Sequence, residues 1–498
     1  MRYYSTRGQT GPTTAKEAII KGLAPDGGLF VPAEPLQSIK VENLSASDYR
    51  ETTTAIFEPF LKDYSRLEIE HAVQSAYTQD TFDQPAITPL EKLSSQLDVL
   101  ELFHGPTYAF KDIALQILPY LLKTAVETAS EASEIVILTA TSGDTGKSAL
   151  EGFRDVPGIK IIVYFPERGV SEIQRLQMTT QEGSNVGVFA VEGNFDDTQS
   201  AVKQIFNDQE FSLKLQKSGY RLSSANSINW GRLLPQIVYY FFACRQLINR
   251  EALKAGDKVN FVVPTGNFGN ILAGYYAKCL GLPVNRLICA ANRNNVLTDF
   301  INTGTYDKRR PFYRSHSPSM DILVSSNLER LLFELTNHDG EKISYWMDQL
   351  TETGTYTIDQ ETHKKIQELF WSDYAGDDET LQTIADTYRN YHYLTDPHTA
   401  VGKNVLDKYR EKENDPTTSV LLSTASPYKF AGSTLQALFD KNKINNLSEF
   451  DMIKILNRET GMPVPVNLAK LEKKPVKHHQ VIKPEQMPEH LKQYLNRL

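Results

Sequence analysis

Short apolar runs rich in β-branched residues alternate along this chain with segments whose apolar residues recur at helical spacing. Runs of strand length lie at residues 99–103, 135–139, 160–165, 259–263, 286–290 and 419–422. Segments of helical period lie at residues 110–126, 198–206, 233–248 and 271–280. This alternation predicts an α/β fold with a mainly parallel sheet. Ligands of such sheets bind at the loops that leave the carboxyl ends of the strands, so functional residues are expected in these loops.

The remaining pattern divides the chain into regions. Its 498 residues exceed what one ordinary core holds, so two to four domains are expected. Residues 1–95 have the pattern of a separate helical region with a tight turn at "APDGGLFVP". Residues 292–397 are polar and helical in pattern, and they interrupt the alternation of strands and helices as an insertion would. The chain after about residue 447 is charged, and its "KKPVKHH" predicts a surface segment.

Composition and charge exclude several classes of protein. The net charge of −8 is spread without a long basic block, which argues against a nucleic-acid platform. Cys244, Cys279 and Cys289 lack metal-ligand or disulfide spacing, so we expect buried thiols in a reducing compartment and no metal site. The N-terminus lacks the apolar core of a secretory signal, and no run approaches the roughly 18 apolar residues of a membrane span. We therefore expect a soluble, cytoplasmic protein.

The loop in "ILTATSGDTGKSAL" resembles the phosphate-binding loop of nucleotide hydrolases. That loop needs a glycine five residues before Gly146, but Thr141 stands there and Gly143 is only three residues before. Nucleotide binding is therefore disfavoured. Two other interpretations stay open: a plain strand-to-helix turn, or a loop that binds a small anion through backbone N–H groups and hydroxyls. The hydroxyls belong to Thr141, Ser142 and Thr145.

A better phosphate site follows the strand at 259–263. In "VNFVVPTGNFGNILAGYYAKCLG", Gly266 and Gly269 let the backbone approach an anion, and the following helix offers unpaired N–H groups. Because neither the nucleotide-triphosphate nor the dinucleotide motif is present, a single cofactor phosphate fits best. The alternative is a glycine turn with an asparagine cap.

Lys111 in "VLELFHGPTYAFKDIALQIL" begins a predicted helix directly after a strand and turn. The helix dipole repels its charge and apolar neighbours such as Phe110 disfavour it, so the neutral amine is stabilised. A neutral amine is what Schiff-base chemistry needs. The alternative is an exposed lysine by chance.

Three further segments place polar residues at strand or helix ends. "LSSANSINWGRLLPQ" crowds amide, hydroxyl and guanidinium groups at a helix start, where they could hold a carboxylate or phosphate; ordinary N-capping by Asn226 or Ser227 explains only one of them. "SVLLSTASPYKF" ends a strand in Ser423 and Thr424, hydroxyls that could meet a ring nitrogen or serve as a cap. "DPHTAVG" carries His398, a residue more often used to fix a loop than to catalyse.

A Schiff-base lysine, a one-phosphate glycine loop, a hydroxyl for a ring nitrogen and an anion-binding loop together indicate pyridoxal phosphate. The chain resembles the threonine synthase family in its longer microbial form, which is fold-type II in the tryptophan synthase β-like superfamily. The resembling motifs run in order over about residues 2–430: "YYSTRG", "KGLAPDGGLFVP", "HGPTYAFKD", "ATSGDTG", "SSANSINWGR", "PTGNFGN", "SPSMDILVSSNLERLLFE", "DPHTAVG" and "STASPYKF".

The resemblance implies two open parallel-sheet domains with the cofactor between them, plus a mostly helical N-terminal domain. The expected boundaries are 1–95 for the N-terminal domain, 96–133 with 250–447 for the large cofactor domain, 134–249 for the smaller α/β domain and 448–498 for the tail. The helical insertion at about 292–397 belongs to the large domain.

The resemblance also implies roles for site residues. Lys111 would be the Schiff-base lysine and main proton shuttle, Thr424 would face the pyridine nitrogen, and Asp144 would lie near the phenolic oxygen. The cofactor-phosphate loop would comprise Gly266, Asn267, Phe268, Gly269 and Asn270. The substrate-carboxylate loop would comprise Thr141, Ser142, Gly143 and Thr145. Candidates for the substrate's phosphate are Asn226, Ser227, Asn229 and Arg232.

The implied reaction converts O-phospho-L-homoserine and water to L-threonine and phosphate by γ-elimination and β-addition of water. The implied partners are this small substrate and at most a second copy of the chain, with no nucleic acid and no membrane. Asn270 stands where an aspartate is usual, and Ser426 and Tyr428 replace the familiar His and Ala. Rival hypotheses are another fold-type II lyase such as serine/threonine dehydratase, a P-loop nucleotide-binding protein, and a non-catalytic relative kept for binding.

Overall fold

The structure is a computed structural model that describes residues 1–128, 133–141, 143–439, 444 and 447–496. Ser142, which the family resemblance assigns to the substrate-carboxylate loop, lies outside the described residues. The strands are β1 (Tyr3–Ser5), β2 (Phe30–Pro32), β3 (Leu90–Lys92), β4 (Leu97–Glu101), β5 (Glu134–Ala140), β6 (Ile159–Pro166), β7 (Val186–Val191), β8 (Tyr220–Ser223), β9 (Val259–Pro264), β10 (Val284–Ala291), β11 (Thr305–Asp307), β12 (Thr355–Thr357), β13 (Phe370–Tyr374), β14 (Ser419–Ser423) and β15 (Val481–Ile482).

The helices connect these strands and cover the sheets. They are α1 (Ala15–Lys21), α2 (Tyr49–Phe57), α3 (Arg66–Ala76), α4 (Lys111–Leu115), α5 (Leu118–Thr128), α6 (Asp144–Phe153), α7 (Glu172–Thr179), α8 (Phe195–Asn207), α9 (Gln209–Lys217), α10 (Trp230–Asn249), α11 (Gly269–Cys279), α12 (Val296–Thr303), α13 (Leu328–Leu335), α14 (Gly340–Glu352), α15 (Gln360–Leu369), α16 (Asp377–Tyr391), α17 (Pro397–Glu413), α18 (Ala431–Leu438), α19 (Glu449–Thr460), α20 (Val466–Leu471) and α21 (Met487–Leu495). Short 3-10 turns include Pro318–Met320 and Pro427–Phe430.

The larger sheet has the strand order β13-β10-β9-β14-β4-β3. Its neighbours run parallel except β3, which pairs antiparallel with β4 at one edge. Every residue of β9 and β14 is buried. Helices cover both faces of such a sheet, which is why these strands are continuous apolar runs rather than alternating ones.

The smaller sheet has the order β15-β7-β6-β5-β8, and all its described neighbours run parallel. Each predicted strand run overlaps a strand of these two sheets, with the run 99–103 extending two residues beyond β4, and helices are the main regular elements of the N-terminal region. The predicted α/β fold with two open parallel sheets is confirmed. The predicted domain boundaries stay predictions.

Some elements differ from the sequence pattern. The segment 110–126, which the pattern reads as one helix, is divided into α4 and α5. Pro119 lies in the first turn of α5, and since proline has no N–H to continue a helical ladder, the break falls just before it. Residues 292–397 hold helices but also β11, β12 and β13, and β13 extends the larger sheet beside β10.

The C-terminal region is more than a surface segment. Lys473 and Lys474 of "KKPVKHH" are exposed, as its composition predicts. Beyond them, β15 pairs with β7, and α21 buries Met487, Leu491 and Leu495 in the core of the smaller sheet. The apolar positions of the tail are spread between charged and polar residues, so no continuous apolar run marks these elements.

Candidate active site

Loops that leave the carboxyl ends of strands in both sheets meet at one site, as expected for open α/β sheets. In the larger sheet, β4 leads to Lys111, β9 leads to the glycine loop, and β14 leads to Thr424. In the smaller sheet, β5 leads to the loop before Asp144. The Phe110 N–H donates to the Thr424 carbonyl oxygen at 2.9 Å, which ties the β4 loop to the β14 loop.

Lys111 is the first residue of α4, and its side chain is 13% exposed. Its Nζ lies 3.6 Å from Asp144 Oδ2 and 3.5 Å from Ser319 Oγ. Burial is the main cause that lowers the pKa of Lys111; Asp144 opposes the shift, while Lys429 and Arg232 add to it. The sequence argument attributes a stabilised neutral amine to the helix dipole and to apolar neighbours. In the structure, burial is the main cause that lowers the pKa of Lys111, and two neighbouring cations add to it.

Asp144, the first residue of α6, is the carboxylate that faces Lys111. Its Oδ1 is 2.7 Å from Lys429 Nζ and accepts a hydrogen bond from Gln174 Nε2 at 3.1 Å. Its Oδ2 accepts from Ser319 Oγ at 3.4 Å. Burial opposes ionisation, but the charges of Lys429 and Lys111 outweigh it and hold the pKa of Asp144 well below its ordinary value. The carboxylate is therefore ionised and anchored beside the amine.

The glycine loop lies between β9 and α11, and its surroundings leave no room for a larger residue at Gly266. A Cβ on Gly266 would lie 2.7 Å from the Ser319 carbonyl oxygen. Phe268 has a φ of 63°, a left-handed conformation that is unusual for a bulky residue and needs support from its surroundings. Asn327 gives such support, because its Nδ2 donates to the Asn267 carbonyl at 2.9 Å. The first N–H groups of α11 have no partner within the helix and can meet an anion.

Asn270 closes this loop in the first turn of α11. Its Oδ1 accepts hydrogen bonds from Tyr239 at 2.5 Å and Tyr240 at 3.2 Å. Its buried Nδ2 has no hydrogen-bond partner among the described residues. A buried donor without a partner is costly, so this amide is available to a group that enters the site.

The helix-start cluster at 226–232 divides into two kinds of residue. Asn229 caps α10: its Oδ1 accepts from the Gly231 N–H at 2.9 Å and its Nδ2 donates to the carbonyls of Ile19 and Ser224. These contacts occupy both polar atoms of its side chain, which is the arrangement of a capping residue. Asn226 and Ser227 are partly exposed.

Arg232 belongs to the same cluster and is 3% exposed. It donates from one terminal nitrogen to the Ala225 carbonyl, and its Nε has no partner among the described residues. Burial lowers the pKa of Arg232 to about 10, opposed by Asp112. A buried guanidinium with donors to spare suits an anionic ligand.

The loop at 141–146 is organised by Thr141, whose Oγ1 accepts from the Gly143 N–H at 3.0 Å and the Gly146 N–H at 2.9 Å. Gly143 has a φ of 145°, and a Cβ there would lie 2.5 Å from the Gln174 side chain. Thr145 is partly exposed. After β14, Ser423 Oγ pairs with Thr399 Oγ1 at 3.1 Å, and the neighbouring Thr424 is 6% exposed.

Ser319 is a site residue that sequence reasoning missed. Besides its contacts with Lys111 and Asp144, its N–H donates to His398 Nε2 at 3.1 Å. The other ring nitrogen, Nδ1, lies 2.6 Å from Asp396 Oδ1. His398 therefore bridges Asp396 and Ser319 and holds the segment that carries Ser319. The motif "SPSMDI" belongs to the resemblance, but nothing in it marks Ser319.

These observations fit a pyridoxal phosphate. The site offers a buried amine, a glycine loop with free N–H groups at a helix start, and an unpartnered amide at Asn270. Among the described residues, no group of three or more His, Cys, Asp or Glu side chains could hold a metal ion. Likewise, none of the described helices has the length and apolar character needed to cross a membrane.

Comparison with known families agrees with this geometry. Residues 82–424 match the family described as "Pyridoxal-phosphate dependent enzyme", so the fold and site define the class of pyridoxal-phosphate-dependent enzymes. Residues 2–77 match "Threonine synthase N terminus" and residues 399–494 match "Threonine synthase, C-terminal". The chain belongs to the threonine synthase family.

The individual relatives are threonine synthases or threonine synthase-like proteins. Threonine synthase of Pseudomonas aeruginosa is 43% identical over 434 residues, covering 86% of this chain and 89% of the relative. Threonine synthase-like 1 of Macaca fascicularis is 40% identical over 92% of this chain, which spans only 62% of that relative's length. The solved structure of PLP-bound threonine synthase from Brucella melitensis superposes with a TM-score of 0.87 at 36% identity, covering 99% of each chain.

Proposed function

We propose that this protein is a threonine synthase that converts O-phospho-L-homoserine and water to L-threonine and phosphate. The observation that carries the proposal is the buried Lys111 amine, 3.6 Å from Asp144 Oδ2, where the loops of the two sheets meet. Family membership over the N-terminal, central and C-terminal parts of the chain supports it.

The cofactor roles are those that the family resemblance implies, and the position of these residues at one site supports them. Lys111 would form the imine with pyridoxal phosphate, and residues 266–270 would hold the phosphate at the start of α11. Thr424 would face the pyridine nitrogen, and Asp144 would lie by the phenolic oxygen. When bound, the cofactor supplies an electron sink for negative charge at the substrate's carbon atoms.

The substrate roles divide between the two remaining loops. Thr141, Ser142 and Thr145 would receive the amino-acid carboxylate, and Gly143 is proposed to shape this loop, since its N–H already donates to Thr141 Oγ1. The phosphate that leaves would be bound by Arg232, Asn226 and Ser227. A buried guanidinium with an unpartnered Nε is a strong hydrogen-bond donor to phosphate. Asn229 is proposed only to position this cluster, since its side chain is occupied as a cap.

Proton transfer is assigned to Lys111. Its amine would take the proton from the α-carbon and return a proton later in the reaction. A lysine can do this only if its pKa is brought down toward the working pH, and burial lowers the pKa of Lys111 in this way. Ser319 and Asp144 hold the amine in place from one side through Oγ and Oδ2.

The test is an assay of phosphate release and threonine formation from O-phospho-L-homoserine, with Lys111→Ala beside Lys147→Ala. Lys147 is a second lysine near this site, but it pairs with Glu151 and has no proposed role. We expect the purified protein to be yellow, borohydride to fix a pyridoxyl group on Lys111, and Lys111→Ala to lower turnover by about 10³-fold or more. A colourless protein, or activity retained in Lys111→Ala, would refute the proposal.

The same assay separates the rivals. Release of a 2-oxo acid from serine or threonine, without activity on phosphohomoserine, would indicate a dehydratase. Tight ATP binding without an imine absorbance would indicate a nucleotide-binding protein. An imine without turnover of any of these substrates would indicate a non-catalytic relative.

We further propose a soluble cytoplasmic protein that works as a monomer or homodimer. Support comes from the thinly spread negative charge and from three cysteines that are all free thiols. Size-exclusion chromatography with light scattering tests the oligomeric state, and fractionation of the source cells tests the location.

A further inference from the structure

Lys429 is a fully buried lysine to which the proposed function gives no role. Its side chain is 0% exposed, and it lies in the 3-10 turn Pro427–Phe430 that follows β14. Its Nζ is 2.7 Å from Asp144 Oδ1 and donates to the Thr107 carbonyl at 2.9 Å. A buried ammonium is unfavourable unless a counter-charge is held against it. Asp144 is that counter-charge.

The two oxygens of Asp144 have separate partners. Oδ1 is occupied by Lys429 and Gln174, whereas Oδ2 faces Lys111 and Ser319. The first oxygen therefore anchors the carboxylate, and the second is presented to the amine. Without the anchor, both oxygens would be free to turn toward Lys111.

The ion pair also connects the two sheets. Asp144 and Gln174 belong to α6 and α7, which follow strands of the smaller sheet. Lys429 and Lys111 follow β14 and β4 of the larger sheet. The contact between Lys429 and Asp144 therefore links α6 to the turn after β14, and the hydrogen bond from Lys429 to the Thr107 carbonyl links that turn to the loop that leads to Lys111.

We infer that Lys429 is a positioning residue that holds the Asp144 carboxylate so that only one oxygen faces Lys111 and so that Lys111 is not the carboxylate's main counter-ion. The inference rests on the proposed role of Lys111. It assigns to Lys429 no contact with substrate or cofactor.

The sign of its effect follows from the charges that face Lys111. These are Asp144 on α6, Lys429 on the 3-10 turn and Arg232 on α10, while Asp112, next to Lys111, lies near both Lys429 and Arg232. Replacing Lys429 by a neutral residue removes one repelling cation and leaves Asp144 with Lys111 as its partner. Both changes favour the protonated amine, so Lys111 becomes a poorer nucleophile at neutral pH.

The experiment measures the Lys111 amine in the full-length chain before cofactor is added. Competitive acetylation at graded pH, read at Lys111 by mass spectrometry, gives its apparent pKa. Stopped-flow absorbance gives the rate at which added pyridoxal phosphate forms the imine. We expect Lys429→Met to raise the apparent pKa by about one unit and to slow imine formation about tenfold at neutral pH.

Two variants serve as controls. Lys147→Met removes a partly buried lysine on α6 that pairs with Glu151 rather than with Asp144. It should leave the pKa of Lys111 and the rate of imine formation unchanged. Lys429→Arg keeps the positive charge and should return the pKa of Lys111 toward its wild-type value. If Lys429 had only a structural role, its replacement would alter the stability of the protein but would not shift the pKa of Lys111 in this pattern.

The result that overturns the inference is an unchanged pKa of Lys111, with imine formation within about twofold of wild type, in a folded Lys429→Met protein. If Lys429→Met does not fold, Gln174→Met, which removes the other donor to Asp144 Oδ1, is measured instead. We expect it to raise the apparent pKa of Lys111 by a smaller amount. An unchanged pKa of Lys111 in that variant also overturns the inference. Failure of the proposed function is distinct, since in that case wild-type Lys111 itself forms no imine.

Discussion

The loops at 141–146 and 265–270 both join a parallel strand to a helix and both contain two glycines, yet they are built in opposite ways. In the first loop, Thr141 Oγ1 accepts the N–H groups of Gly143 and Gly146, so the loop uses its own donors internally. In the second loop the carbonyls are held instead: Gly266 O accepts from Ser325 Oγ at 2.7 Å and Asn267 O accepts from Asn327. Holding the carbonyls leaves the N–H side open to an anion. The number of glycines thus does not decide which loop binds a phosphate.

Of the changes that test this comparison, Gly266→Ala has the largest expected effect. Its methyl group would lie 2.7 Å from the Ser319 carbonyl, so either the loop or the segment that contacts Lys111 must move. We expect cofactor affinity to fall about 100-fold, measured by titration of the cofactor-free chain with pyridoxal phosphate. The matched change is Gly143→Ala, which is also strained at its φ of 145° but should mainly raise the KM for the amino acid. Equal loss of cofactor affinity in both variants would contradict the comparison.

A second test removes the support of the glycine loop. Asn327→Ala deletes the side-chain donor to Asn267 O, although the Asn327 backbone N–H still donates to that carbonyl at 3.2 Å. It also removes the 3.2 Å hydrogen bond to Ser227 Oγ and the Oδ1 acceptor of Arg330. We expect cofactor affinity to fall about tenfold, because an unsupported left-handed Phe268 relaxes and misplaces the N–H groups. Asn302→Ala, an exposed position on α12, is the control. Unaltered cofactor affinity in Asn327→Ala would show that the loop supports itself.

A third test removes the internal acceptor of the other loop. Thr141→Val leaves the N–H groups of Gly143 and Gly146 without their partner, at a cost of about 1–3 kcal/mol in the free energy of unfolding. Thr141→Ser keeps the oxygen and should keep most of that stability. Urea unfolding measures it, and we expect the substrate KM to rise several-fold while the cofactor Kd changes less. A larger effect on the cofactor than on the substrate would reverse the assignment of the two loops.

The smallest effect concerns a third strand-end loop, the one between β4 and Lys111. His104 lies 2.6 Å from Asp83 and 2.8 Å from Glu101, and although burial opposes its charge, these carboxylates raise its pKa to about 9. A folded-state pKa above the unfolded value stabilises the protein fully below about pH 6.5, and this stabilisation is lost as the pH rises through about 9. We expect the Tm to fall by roughly 2 to 4 °C across that window.

His104→Gln is the control for this pH effect, because glutamine keeps hydrogen bonding without a titrating charge. It should flatten the fall in Tm over the same window. An identical pH dependence in wild type and variant would assign the effect to another group.

The sequence predicts the parts of the fold that follow from continuous burial. β9 and β14 are recognisable because both faces are covered, while β13, with polar residues in "FWSDY" at the sheet edge, and the short β8 carry no such signal. In the site, Lys111 is predictable because strand, turn and helix start are adjacent in the chain. Ser319 is not, since it meets Lys111 from 208 residues away. Contacts of that range depend on how the sheets are joined, which local pattern does not encode.

The pairing of β15 with β7 has a consequence for the resistance of this protein to aggregation. An open parallel sheet ends in a row of unsatisfied backbone groups, and such an edge templates pairing with other molecules. Here β15 pairs with Ala190 and Val191 and covers that end of the β7 edge, and α21 packs on the apolar surface beside it. A protein shortened before residue 448 would therefore lose protection against aggregation before it lost any residue that touches a ligand.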